Sequence, residues 1–198
     1  CHASGFIALV APLVAAGVLA KGAKLSCFSL TGYSGGGKKM IAQYEEAGRD
    51  RLLDAPRQYG LNQSHKHLKE MAAVCGLDNP PVFSPIVADF YSGMEVSVPL
   101  FGEWVSGGID RVREVYAEAY PGPILRYVES ADEGGFLAAN ALSGRDDMEV
   151  TVTGNDERLL LTARFDNLGK GASGAAIQNM NILMGVDETE GLVIGKHE

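Results

Sequence analysis

Residues 148–165 read MEVTVTGNDERLLLTARF. Two runs rich in Val, Thr and Leu flank GNDE, whose glycine, asparagine and aspartate are turn formers, so the stretch reads as two strands joined by a tight turn. A connection this short joins antiparallel neighbours. Further strands lie outward from it. MEVSVPLF alternates Met94, Val96, Val98 and Leu100 with Glu95, Ser97 and Pro99, the mark of a strand with one face buried. Pro99 predicts a strand end or an edge position there.

PVFSPIVADF (residues 81–90), KLSCFSLT (24–31) and ILRYVE (124–129) complete the set of candidate strands. Helices interrupt them. KKMIAQYEEAG carries Met40, Ile41 and Tyr44 at helical spacing, and GIDRVREVYAEAY places Ile109, Val112, Val115, Tyr116 and Ala119 on one face before PGP ends it. Residues 172–184 form a last helix, apolar at Ala176, Ile177, Met180 and Leu183. The order predicts an α/β (α+β) chain: a mixed, largely antiparallel sheet with helices on one face.

At 198 residues and 46% hydrophobic content the chain is long enough for a single substantial core. Seventeen Lys and Arg against 25 Asp and Glu leave no basic surplus for a nucleic-acid backbone, so no nucleic-acid partner is expected. The most apolar run, FIALVAPLVAAGVLA (residues 6–20), is shorter than the ~20 residues of a membrane span and contains Pro12. It reads as a buried helix, and no membrane partner is expected. Cys1, Cys27 and Cys75 are odd in number and irregular in spacing, which fits reduced thiols in the cytoplasm better than a disulfide framework or a zinc site.

Four stretches could carry chemistry. Cys1 stands where the first helix begins, a position whose free backbone amides and dipole stabilise a thiolate. Cys27 and Cys75 read as small buried hydrophobes. In YGLNQSHKHLKEM, His65 and His67 are two apart and do not share a helix face, so the segment reads either as a polar catalytic loop with a general acid/base or as a solvated loop. TGYSGGGKKM has the spacing of a phosphate loop, but Lys39 stands where a magnesium-binding Ser or Thr is needed. A glycine turn with Lys38 remains, able to hold a smaller anion such as an acyl phosphate, or serving as a plain turn. Finally, RFDNLGKGASGAAIQNMN runs from a strand through Asp166 and Asn167 into a helix, a context in which asparagine is also common for local reasons.

Together, CHASGF, GYSGGGK, HKHLKE and DNLGKGASGAAIQNMN resemble, in order, the motifs of N-acetyl-gamma-glutamyl-phosphate reductase in its shorter variant class. The resemblance covers essentially the whole chain. It implies a catalytic domain like that of glyceraldehyde-3-phosphate dehydrogenase, with an NADPH-binding domain that would lie before Cys1; accordingly no G-x-G-x-x-G fingerprint opens this sequence. Residues 1–170 would then be the catalytic, substrate and dimerisation domain, and 171–198 a C-terminal helix returning to the dinucleotide domain.

By the same resemblance, Cys1 attacks an acyl phosphate to give a thioester, NADPH reduces it, and His65 handles the proton. Substrate binding falls to Ser34, Gly35, Lys38, Arg57, His67 and Glu70, and cofactor contacts to Asn167, Lys170 and Gly171. No metal is implied, and a homo-oligomer is. Lys69 departs from a proline usual in the motif, and ADFYSGMEV lacks the Arg-Gly pair of the longer class, which leaves the substrate carboxylate to Arg57 or Lys38. Two other readings stand beside this one. An amidohydrolase with an N-terminal nucleophile would also use Cys1, but it would place that residue on a strand. A non-catalytic oligomerisation and substrate-binding module would describe the 198 residues on their own.

Overall fold

In the computed structural model, which describes residues 1–195, seven strands form one sheet in the order β2-β3-β1-β4-β7-β6-β5. The strands are β1 (Ser26–Gly32), β2 (Arg57–Gln58), β3 (Val82–Ala88), β4 (Met94–Phe101), β5 (Leu125–Tyr127), β6 (Met148–Gly154) and β7 (Arg158–Phe165). The helices are α1 (His2–Ala15), α2 (Gly37–Glu45), α3 (His67–Cys75), α4 (Gly108–Ala119) and α5 (Gly174–Met184). β1 with β3 and β5 with β6 pair parallel, and the other four pairings are antiparallel. The sheet is thus mixed and largely antiparallel, as its alternating pattern predicts. Residues 196–198, the end of the expected C-terminal segment, lie outside the described residues.

The alternation decides which face is covered. Met94, Val96, Val98 and Leu100 of β4 join Leu159, Leu161, Ala163 and Phe165 of β7 and Met148, Val150 and Val152 of β6 in one core beneath α1, α3 and α4. Each large side chain in it contributes about 1.5–3 kcal/mol by leaving water. α1 lies so close to β4 that a Cβ at Gly5 would stand 2.5 Å from Val96 Cγ2, so glycine is what lets the helix settle. The other face holds the intervening residues, among them Phe28, Glu95, Phe101, Glu149, Leu160 and Arg164, and carries no helix among the described residues.

Two local expectations change. The apolar run of residues 6–20 is helical only to Ala15: Gly17 at φ 69° turns the chain, and the amides of Val18 and Leu19 bond back to the Leu13 carbonyl. Pro99 is not on an edge strand, since β4 lies between β1 and β7. β1, however, pairs only with Met94–Ser97, so beyond Ser97 that side of β4 has no partner strand and a proline is tolerated. α5 packs chiefly on the π-turn before it and leaves Met180, Ile182, Leu183 and Met184 exposed. Among the described residues no helix is long and apolar enough to cross a membrane.

Candidate active site

The parallel pair β1 and β3 ends at Gly32 and Ala88, and beside those ends lies a cavity of about 360 Å³, lined by Thr31, Val87 and the glycine turn that follows β1. Crevices outside the carboxyl ends of parallel strands are where α/β proteins commonly place ligands. Cys1, the N-cap of α1, opens onto the cavity together with His2, Thr31, Gly35, Met40, Tyr59, His65, Lys66 and His67. Cys1 is half-buried, while Cys27 and Cys75 are buried in the core, where burial pushes both thiols up, Cys75 to about 12. Of the three thiols, only Cys1 combines access with a helix N-terminus.

The histidine loop is held in place by its own chain. Gln63 stands at φ 53° and clasps β3, with Nε2 donating to the Phe83 carbonyl at 2.7 Å and Oε1 accepting from the Phe83 amide at 2.9 Å. His65 follows in the turn and His67 begins α3, with ring centroids 4.7 Å apart. His65 Nδ1 accepts from the His67 amide at 3.3 Å, so the proton of neutral His65 sits on Nε2. Burial lowers His65, with Lys66 and the Cys1 amino group adding to the effect, and lowers His67 to about 4. His67 Nδ1 is buried with no partner among the described residues.

Not every expected residue reaches the cavity. Gly35 does, and its neighbour Ser34 is buried, accepting from Asn167 Nδ2 at 3.0 Å. Lys38 is exposed on α2. Arg57 turns to Tyr44, donating to its hydroxyl at 3.0 Å and stacking 5.4 Å above its ring. Glu70 is exposed on α3.

Asn167 is buried and both ends of its amide are engaged, because Oδ1 also accepts from the Gly93 amide at 2.9 Å. Lys170 donates to Gln178 at 2.5 Å. Gly171, in contrast, lies against Cys1: a Cβ there would stand 2.8 Å from Cys1 Cβ.

The sequence singled out neither His2 nor Tyr59. The clue to His2 is its place beside an N-cap cysteine, and Tyr59 stands at the head of the histidine stretch; their meeting depends on the tertiary fold.

Solved structures with this fold include an aspartate semialdehyde dehydrogenase II from Vibrio cholerae (TM-score 0.66, 15% identity, covering 92% of this chain and 61% of that one). Another is a probable aspartate-semialdehyde dehydrogenase from Pseudomonas aeruginosa (0.65, 18%, 91% and 61%). The chain therefore shares its fold with these semialdehyde dehydrogenases. Residues 1–167 match the family model described as "Semialdehyde dehydrogenase, dimerisation domain", and the chain belongs to that family.

Among curated relatives, N-acetyl-gamma-glutamyl-phosphate reductase 2 of Nostoc sp. is 41% identical over 97% of this chain and 64% of its own length. The N-acetyl-gamma-glutamyl-phosphate reductase of Brucella anthropi is 42% identical over 93% and 62%. The chain spans a little under two thirds of the length of these relatives.

Proposed function

We propose that this chain is the catalytic and dimerisation part of an NADPH-dependent N-acetyl-gamma-glutamyl-phosphate reductase that forms N-acetylglutamate 5-semialdehyde in the cytoplasm. The observation that carries the reading is Cys1 at a helix N-terminus in one cavity with His65 and His67. Relatives at 41–42% identity bearing that name support the choice of substrate.

In the proposed step the Cys1 sulfur attacks the acyl carbon. An S–C bond forms, the bond from carbon to the phosphate oxygen breaks, and phosphate leaves with its electron pair. Cys1 reacts as the thiolate, and His65, with Nδ1 tied to the loop, presents Nε2–H to the reacting atoms and serves as the acid. His67 offers its unpartnered Nδ1 to the substrate, and Gly35 lets backbone approach it. Lys38, Arg57 and Glu70 surround this centre as substrate contacts, with Ser34 shaping the glycine turn.

On this chain the contacts we assign to NADPH are Asn167, Lys170 and Gly171, in the turn that packs against Cys1. A reduced dinucleotide bound there supplies a hydride. Asn167 and Lys170 already have partners within the chain, so their part is to hold the turn that presents Gly171. Residues 171–198, with the apolar face of α5, are the segment we assign to contact with a dinucleotide domain. The helix-free sheet face, exposing Phe28 and Phe101, is the one we assign to a second copy of the chain.

Acetyl phosphate tests the chemistry. Mass spectrometry is expected to find a single acetyl adduct on Cys1, absent in Cys1→Ser and formed roughly a hundredfold more slowly in His65→Ala. Adducts only on other residues, or none, would refute the reading.

A further inference from the structure

Beneath the cavity lies a hydrogen-bonded chain that the proposed reaction does not yet use. His2 is 5% exposed and engages both ring nitrogens, Nδ1 with Ser29 Oγ at 2.6 Å and Nε2 with Tyr59 Oη at 2.7 Å. Phe83 meets the imidazole edge-on, with centroids 5.4 Å apart, and fixes the plane of the ring. Tyr59 is held in turn by its own amide, which donates to the Pro85 carbonyl at 3.0 Å. Its hydroxyl has no second partner among the described residues, and its side chain lines the cavity beside Cys1.

Ser29 sets the direction of the protons. It is fully buried, and its neighbours across the sheet are Pro85 and Val96, neither with a polar side chain. His2 Nδ1 is its only side-chain hydrogen-bond partner among the described residues. Were Nδ1 protonated, the serine hydroxyl would accept and its own hydrogen would be buried without an acceptor, at a cost of about 1–3 kcal/mol.

The opposite arrangement satisfies every group: Ser29 donates to Nδ1, Nε2–H donates to Tyr59 Oη, and the phenolic hydrogen is left over. We propose that Ser29 and His2 are positioning residues forming a one-way relay, which turns Tyr59 into a hydrogen-bond donor aimed at the acyl oxygen of a substrate on Cys1. The relay stays neutral near pH 7. Burial, with the Cys1 amino group, His67 and His65 beside it, lowers His2 to about 3, and burial pushes Tyr59 up to about 12.

The destination of the Tyr59 proton rests on the acyl-transfer reading above, whereas the relay itself does not. Long-range 1H–15N spectra of the full 198-residue chain, labelled at histidine, are expected to show His2 neutral and protonated at Nε2 between about pH 5 and pH 8. An Nδ1-protonated or cationic His2 would overturn the proposal.

Acylation of Cys1 by p-nitrophenyl acetate provides the second readout. The rate is expected to fall tenfold or more in Tyr59→Phe and by a smaller factor in Ser29→Ala, whose His2 becomes a mixture of tautomers. His2→Gln, which keeps an N–H near Tyr59, should restore most of the rate lost in His2→Ala. Wild-type rates in Tyr59→Phe would overturn the donor role. If wild-type Cys1 is not acylated at all, the acyl-transfer reading fails, and the spectra still decide the relay.

Discussion

The sheet buries polar groups at both ends, and it treats them differently. On the helix-free face, β5, β6 and β7 carry charges that answer one another. Arg164 reaches Glu133 at 2.5 Å and Glu149 at 3.3 Å, Arg126 pairs with Glu149, and Arg145 pairs with Asp147. Around the carboxyl ends of β1 and β3 the buried groups are imidazoles kept neutral by burial. There His67 Nδ1 and the Tyr59 hydrogen have no partner among the described residues. A network of mutually paired charges contributes to stability, because removing one member strands another, even though Arg164 Nε and the Thr151 and Thr162 hydroxyls are buried there without partners among the described residues. The spare groups at the other end line a cavity instead, where a ligand can reach them.

The sharpest way to break the contrast is to open the closed network. Glu149→Leu takes a partner from both Arg164 and Arg126 and is expected to cost about 3 kcal/mol of folding stability by urea denaturation. Arg164 keeps Glu133, which holds the loss to the low end of the usual range. Acylation of Cys1 should be unchanged, and a parallel loss of reactivity would mean that the two ends are coupled.

Acid sharpens the comparison from the other side. His2 has a folded pKa of about 3 against 6.5 unfolded, so between those values the unfolded chain binds more protons. Stability is therefore complete above pH 6.5 and falls as the pH drops toward 3, with His2 alone costing about 2 kcal/mol from pH 7 to pH 5. Denaturation midpoints measured across that range should flatten in His2→Gln. An unchanged slope would assign the acid sensitivity to other groups.

The smallest of the three effects is steric. In Gly171→Ala the new methyl presses on Cys1 Cβ and, at 3.1 Å, on the Asp166 carbonyl. Cys1 acylation should fall about tenfold while stability changes little, since displacing a reacting group by a fraction of an ångström is enough. Undiminished acylation would show that the flank of Cys1 is roomier than the structure has it.

How much of this the sequence reveals depends on how far each signal reaches along the chain. The alternation in 94–100, the helix before PGP and the GNDE turn are local patterns, and β4, α4 and the β6–β7 hairpin follow them closely. So do Cys1 at a helix start and the histidines in a loop leading into α3. Pro99 misleads because its strand is interior while the β1–β4 ladder stops at Ser97, which nothing near Pro99 records. The Ser29–His2–Tyr59 contacts join residues from three distant segments, so no spacing reveals them. Arg57 is drawn away from the cavity by Tyr44, a partner on α2.

The contact between Gly171 and Cys1 also bears on how the domain assembles. It joins the start of α1 to the turn that follows β7, two segments far apart along the chain, so it closes a long loop. Contacts of such separation slow folding, and the one at Cys1 is expected to form late. A protected, correctly seated Cys1 is thus a clock for the final stage of assembly, and an intermediate that already has its hairpins would still carry an ordinary, unguarded thiol.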